Sequence, residues 1–256
     1  HFHLGSGNSK IGKERGLSVK EIALRGAKNE SNAKRHKFKE SHETLPPGTI
    51  INITRQEDLL LMIRDSQLDI DVRVDGNLDL SGCSWIESLP KRLEVRGYLN
   101  LSGCYGLTNM PQSLFVESWL DMTSCSKVRT LPSIMDVGSY ISLYGCSEIN
   151  LLPDKLQVNG RLDLKKCINL KALPAGLKVA GNLWLGQCAE LRSIPQGLHV
   201  GGYLDLSGCS NLTSLPSDIR VGMSIILDGC GRLILREPYR GVAGRLIGKP
   251  TLNRRS

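Results

Sequence analysis

Eight cysteines at a constant spacing constrain the fold of this 256-residue chain more than any other feature of its sequence. Consecutive members lie 21 residues apart and no other cysteine is present; the series is Cys83, Cys104, Cys125, Cys146, Cys167, Cys188, Cys209 and Cys230. So short a period predicts a solenoid, because one unit is too small to bury its own apolar side chains and must stack on its neighbours.

Other residue types keep the same 21-residue period. A Val stands nine residues before every Cys, Leu or Ile stands five before it, and Leu or Met stands three before it. Seven residues after each of the first seven Cys is a Pro, preceded by Leu, Ile or Met. The apolar spacing of Val95, Leu99 and Leu101 predicts one short strand with a buried face. Pro interrupts the rest of the unit too often for a full helix, so we expect extended, polyproline-like or 3₁₀ backbone there.

The unit resembles a known repeat. Leu99, Leu101, Cys104 and Leu107 resemble the Cys variant of the leucine-rich-repeat signature, and the Leu-Pro pair is similar to that of bacterial leucine-rich-repeat effectors delivered by type III secretion. Residues 78–83 also resemble repeats of plant intracellular immune receptors, whose units are usually longer. Over about residues 68–247, the resemblance implies an α/β-class leucine-rich-repeat solenoid with a curved parallel β-sheet on the concave side, an extended or 3₁₀ convex side and a short N-terminal capping helix.

The repeat divides the chain into four regions. Residues 1–44, with ten Lys and Arg against five Glu, predict a disordered basic tail, which the resemblance would make a secretion leader. Residues 45–73 form an N-terminal cap with a helix over about 54–66, in which Thr54 is the N-cap and Glu57 completes a capping box. Residues 74–236 hold eight 21-residue repeats. Residues 237–256 are a degenerate ninth repeat, which is either a C-terminal cap or a truncation point.

The cysteine column indicates a structural role. One thiol per turn in a straight column does not place four ligands around one ion, whereas a buried Cys packs as a small apolar group whose S–H can reach a backbone carbonyl. We therefore expect reduced thiols and a reducing, cytoplasmic compartment, or the host cytosol if the chain is secreted as the resemblance implies.

Catalytic and membrane-spanning features are not found in the sequence. His199 is the only histidine within the repeats, and no nucleophile–base pair or cofactor motif accompanies it. Weak phosphate-loop matches at Gly201-Gly202 and at Gly241 and Gly244 fall where each repeat begins, which favours a structural role. No run of about 18 apolar residues predicts a membrane span. We predict that the chain is not an enzyme and binds no cofactor, metal or small-molecule substrate.

The side chains between the buried strand positions form the candidate interaction surface. Because side chains alternate across a strand, three columns face outward, six, four and two residues before each Cys. The first column is Asn77, Tyr98, Trp119, Tyr140, Arg161, Asn182, Tyr203 and Ser224. The second is Asp79, Asn100, Asp121, Ser142, Asp163, Trp184, Asp205 and Ile226. The third is Ser81, Ser102, Thr123, Tyr144, Lys165, Gly186, Ser207 and Asp228.

These columns hold six of the nine Tyr and Trp residues, the types that with Arg contribute most to protein interfaces. Asp recurs in alternate repeats, about 10 Å apart, and this acidic stripe with Arg161 and Lys165 in its middle suggests a partner segment bearing basic and apolar groups. The alternative is that the rings pack on cross-strand neighbours. The predicted partner-binding residues are Tyr98, Trp119, Asp121, Tyr140, Tyr144, Arg161, Asp163, Lys165, Trp184, Tyr203 and Asp205.

The sequence thus predicts a scaffold that binds a protein partner on its concave face, and the resemblance implies a bacterial effector acting on a host protein. An alternative from the same resemblance is the substrate-recognition part of an effector E3 ubiquitin ligase whose catalytic domain is absent from this chain. A lesser alternative is nucleic-acid or membrane-surface binding through the basic tails, whose net charges are +5 and +4. The repeats, with a net charge of +1, argue against it.

Overall fold

The structure is a computed structural model that describes residues 50–65, 68–235 and 241–248. These residues form a parallel β-solenoid of about nine turns, as the 21-residue period predicts. The basic tail over residues 1–44 and most of the C-terminal region over residues 237–256 lie outside the described residues.

One parallel sheet runs the length of the solenoid, and we call it the long sheet. Each turn contributes one two-residue strand, and corresponding residues of adjacent turns pair in register, as Leu99 does with Leu120. Its nine strands are Leu78–Asp79, Leu99–Asn100, Leu120–Asp121, Ile141–Ser142, Leu162–Asp163, Leu183–Trp184, Leu204–Asp205, Ile225–Ile226 and Leu246–Ile247.

Two further parallel sheets, the side sheets, precede the long sheet in each turn. The first comprises Ile50–Ile53, Asp71–Val74, Arg92–Val95, Ser113–Val116 and Ile134–Val137. The second comprises Gln157–Val158, Lys178–Val179, His199–Val200 and Arg220–Val221.

The prediction of one strand through Val95, Leu99 and Leu101 is therefore wrong: Val95 and Leu99 belong to different sheets. The chain bends between them at Gly97, where a Cβ atom would overlap Asn77 of the preceding turn. Gly201 and Gly202 occupy the same kind of corner, and a Cβ on Gly201 would overlap the Ala180 carbonyl. Close backbone approach thus accounts for these glycines, as the structural interpretation predicts.

The core is a column of small apolar layers, one per turn. Leu99, Leu101, Cys104 and Leu107 are all fully buried, and their counterparts in the other repeats join one continuous cluster. Each turn leaves its apolar set incomplete until the next one covers it, so the stability of the fold depends on stacking.

Helix is scarce in the described residues. A nine-residue α-helix, Gln56–Arg64, lies within the range predicted for the capping helix. Arg55 rather than Thr54 occupies its N-cap position, without a side-chain capping bond; Glu57 and Asp58 in the first turn offset the helix dipole instead. Between the long-sheet strand of one turn and the side-sheet strand of the next, the described residues contain no 3₁₀ helix and consist of turns, isolated bridges and backbone without regular structure. The α/β label is thus too helical for a fold that is almost entirely β.

Candidate interaction surface

The outer face of the long sheet carries the three outward columns, and its middle is organised by ring stacking. Tyr98 and Trp119 stack with their ring centroids 4.2 Å apart and their planes within 5°. Trp119 and Tyr140 continue the stack at 5.5 Å and 8°. Because parallel strands place the same column about 4.8 Å apart, successive turns bring the rings to stacking distance.

Cations extend this stack. The Arg161 guanidinium carbon lies 4.6 Å from the centroid of the Tyr140 ring and 5.2 Å from that of Trp184. The Lys165 Nζ lies 4.1 Å from the Trp184 centroid. We call these six residues the cation–aromatic stack: Tyr98, Trp119, Tyr140, Arg161, Trp184 and Lys165. Each offset ring pair stabilises such an arrangement by about 0.5–1.5 kcal/mol and each partly exposed cation–π contact by about 0.5–1 kcal/mol.

The stack covers ring faces and exposes ring edges. Trp119 and Tyr140 each have neighbours from the turns on both sides, and all four rings of the stack are half-buried. Burial, followed by the nearby Asp121 carboxylate, raises the pKa of the Tyr140 hydroxyl, which therefore stays protonated and can donate a hydrogen bond. The cross-strand packing that the sequence left as an alternative is thus part of how these rings are held.

The repeating Asp residues bond the turn that follows each strand. Asp121 Oδ1 accepts a hydrogen bond from the Thr123 N–H at 2.8 Å, and Asp163 Oδ1 accepts one from the Lys165 N–H at 3.0 Å. Asp205 accepts from both the backbone N–H and the hydroxyl of Ser207. These are Asx turns, which Asp and Asn form readily. One oxygen of each carboxylate is therefore engaged by the fold.

Asp163 is the most enclosed of these carboxylates, with 8% of its surface exposed. Burial raises its pKa, although the Lys165 N–H and the charges of Lys165 and Arg161 act in the opposite direction. The acidic stripe predicted from the sequence is thus weakest at its centre, where the carboxylate is covered.

A notch lies beside the cation–aromatic stack, above Gly186. It has a volume of about 170 Å³ and is lined by Tyr144, Lys165, Lys166, Gly186, Gln187, Asp205 and Ser207. Gly186 is buried and takes the place of the side chains found elsewhere in the third column. The Lys166 Nζ lies 5.2 Å from the Tyr144 ring centroid, so Lys166 caps one wall.

Two residues of this notch depart from the repeat. Lys166 and Gln187 adopt left-handed backbone with φ of 60° and 65°, at a position that is Gly in five other described turns. A non-Gly residue there is strained. Sequence reasoning missed both residues; the signal was a break in the Gly column directly before the Cys column.

The predicted site residues fall into three groups. The stack and the notch together bring Tyr98, Trp119, Tyr140, Tyr144, Arg161, Lys165 and Trp184 into one continuous patch. Asp121, Asp163 and Asp205 lie beside it and bond their own turns. Tyr203 is 42% exposed and has no ring contact within the described residues; its backbone N–H donates to the Asn182 side chain.

The cysteine column lies behind this surface, inside the core. Seven thiols donate to the carbonyl of the residue 24 positions earlier, as Cys146 does to Met122 at 3.0 Å. Burial raises the pKa of each thiol, to about 12 for Cys104, Cys167 and Cys209. All eight are unpaired, and no group of three metal-binding side chains occurs among the described residues. The thiol-to-carbonyl contact is the one expected from the sequence.

Comparison with known proteins identifies no relative. No family model, curated protein or solved structure matches the chain. Among the residues that the structure describes, no helix is long and apolar enough to span a membrane.

Proposed function

We propose that this chain is a leucine-rich-repeat scaffold that binds a protein partner on the outer face of the long sheet. The 21-residue register, the paired Leu columns and the Cys-to-carbonyl contacts support the leucine-rich-repeat assignment. The fold presents a long, regular surface, and repeat solenoids use such surfaces for binding.

The cation–aromatic stack carries the proposal. Tyr, Trp and Arg are the residues enriched at the energetic centres of interfaces. Here they are gathered on one face and already ordered by their neighbours, so less side-chain entropy is lost when a partner covers them. Scattered surface aromatics would offer neither advantage.

The setting of this function is proposed from the resemblance to type III effectors. Under that proposal the chain acts on a host protein in the host cytosol, without catalytic activity of its own. The Leu-Pro units, which resemble those of such effectors, support this setting.

A pull-down from eukaryotic cytosol tests the proposed face. The full chain is compared with a Trp119→Ala/Tyr140→Ala/Trp184→Ala variant, which we call the ring variant. A matched control, Trp85→Ala/Tyr105→Ala, removes two aromatic side chains that are 51% and 55% exposed outside the three columns. Circular dichroism and thermal melting establish that each variant is folded.

We expect the wild-type chain and the control to retain the same protein and the folded ring variant to lose it. Equal retention by all three chains would contradict binding through this face. Loss by both variants would show that binding also depends on aromatic residues outside this face, and would also contradict the proposal.

A further inference from the structure

The ring stack determines which chemical groups remain for a partner. An aromatic ring is negative on its faces and positive at its edge. Trp119 and Tyr140 have both faces covered by neighbours, and Arg161 and Lys165 both lie against Trp184. What this part of the surface offers is ring edges, an indole N–H, phenol hydroxyls, a guanidinium and an ammonium. These groups are mainly hydrogen-bond donors and carry positive charge.

The charges of the same region are layered. Arg161 and Lys166 are exposed and Lys165 is half-buried, whereas Asp163 is buried beneath them. Asp205 is half-buried and uses one carboxylate oxygen on its own turn. At the centre of this face a partner therefore meets the cations before it meets the Asp163 carboxylate.

The notch above Gly186 limits the size of the group that a partner can insert there. Its volume of about 170 Å³ is below the roughly 300 Å³ at which small-molecule pockets begin. It suits one inserted side chain rather than a cofactor. The charged groups of its lining are two cations, Lys165 and Lys166, against one carboxylate, Asp205, so an inserted group with negative charge is favoured.

We propose that the partner presents an acidic peptide segment, whose Asp or Glu carboxylates pair with Arg161, Lys165 and Lys166 and insert one side chain above Gly186. This inference rests on the protein-binding function proposed above and names the chemistry of the partner. Nucleic acid fits less well, because its bases stack on free ring faces, which the rings of Trp119 and Tyr140 lack.

Selection from a random peptide library displayed on phage tests this inference with the full chain. The peptides enriched on wild type are compared with those enriched on the ring variant, and the resulting consensus peptide is synthesised for affinity measurements. We expect the consensus to be rich in Asp and Glu and its affinity to fall with salt, since exposed charge pairs are screened.

Four variants separate charge from shape. The cation variant is Arg161→Gln/Lys165→Gln/Lys166→Gln, and its charge-retaining counterpart is Arg161→Lys/Lys165→Arg/Lys166→Arg. The control variant is Lys155→Gln/Lys178→Gln/Arg220→Gln, which removes three exposed cations outside the stack and the notch. The notch variant is Gly186→Tyr, which fills the notch without removing a charge; the same column carries Tyr at position 144.

We expect the cation variant to weaken peptide binding by at least about tenfold and the control by less than about twofold. The charge-retaining variant should bind within about threefold of wild type, and the notch variant should bind at least about fivefold more weakly. Equal losses of peptide affinity in the cation and control variants would show that binding depends on the overall charge of the chain, and would overturn the inference.

The remaining outcomes distinguish this inference from the proposed function. A basic or uncharged consensus that still requires the rings would overturn the acidic partner and leave protein binding intact. No enrichment on wild type over the ring variant would contradict the proposed function itself, and the inference with it. Tighter binding of an oligothymidylate than of the peptide, lost in the cation variant, would replace the acidic segment by a nucleic acid.

Discussion

Replacing Cys167 by Ala tests whether the thiol column stabilises the solenoid. The Cys167 side chain is fully buried, and its Sγ lies 3.1 Å from the Leu143 carbonyl oxygen. The substitution removes one buried heavy atom, comparable with a methylene worth about 0.8 kcal/mol. It also removes a weak hydrogen bond worth about 0.5 kcal/mol and leaves unfilled space. We expect the free energy of unfolding to fall by about 1.5–2.5 kcal/mol.

The expected loss is moderate because the carbonyl keeps a partner. The Cys146 N–H also donates to the Leu143 oxygen, at 3.0 Å. An unsatisfied buried acceptor, which would cost about 1–3 kcal/mol more, is therefore avoided.

Cys83 provides a matched control in the same column. Its side chain is only half-buried, and within the described residues its thiol lacks the carbonyl contact that the other seven make. Cys83→Ala should therefore change the free energy of unfolding by less than about 0.5 kcal/mol. Urea titrations of both variants, followed by far-UV circular dichroism, measure the difference. Equal losses, or no loss in Cys167→Ala, would refute the stabilising role of buried thiols.

Three further predictions follow from burial and close approach. Thiol labelling of the folded chain at about pH 8 should modify Cys83 first. Burial raises the pKa of the more enclosed thiols, to about 12 for Cys104, so few of them are in the reactive thiolate form. Labelling of all eight thiols at the same rate would contradict this prediction. Gly138→Ala should lower the free energy of unfolding by more than about 2 kcal/mol, because its methyl would overlap a carbonyl of the preceding turn. In Gly186→Ala the new methyl would lie 3.5 Å or more from its neighbours, so the free energy of unfolding should change by less than about 0.5 kcal/mol. Equal urea midpoints for the Gly138→Ala and Gly186→Ala variants would contradict this difference. Burial raises the pKa of the Asp163 carboxyl above its ordinary 3.8, so the folded chain binds this proton more tightly than the unfolded chain does. The stability that this carboxyl contributes therefore falls as the pH rises from 3.8 through the raised pKa. Asp163→Asn should therefore gain stability relative to wild type across that window, and a constant difference between about pH 3 and about pH 7 would contradict the pKa shift.

The repeat made the core predictable. Residues such as Leu99, Leu101 and Cys104 recur at a fixed spacing, and each must face the same interior in every turn because the turns stack in register. The thiol-to-carbonyl contact was also predictable, since a buried S–H at the end of a strand has few other acceptors.

The division of each turn into two sheets was not predictable from alternation. Val95 and Leu99 are four residues apart and both buried, which fits one strand as well as two. The bend at Gly97 is imposed by the turn below it, through the approach of Asn77. Gly or Ser recurs at this position in seven of the eight repeats, but a small residue by itself does not show that the chain bends there. The strand Ile50–Ile53 was missed for a related reason, because it pairs with Asp71–Val74 across the helix.

The columns of the outer face could be listed from the sequence, but their chemistry could not. Sequence alone determined the period, the inward Leu, Val and Cys positions and the set of side chains that share the outer face, because these depend only on register. The tertiary structure decided that the Asp carboxylates bond their own turns while Arg161 and Lys165 lie over rings. The cation–ring contacts join neighbouring turns, and the burial and ring stacking that select them arise only when the turns are packed together.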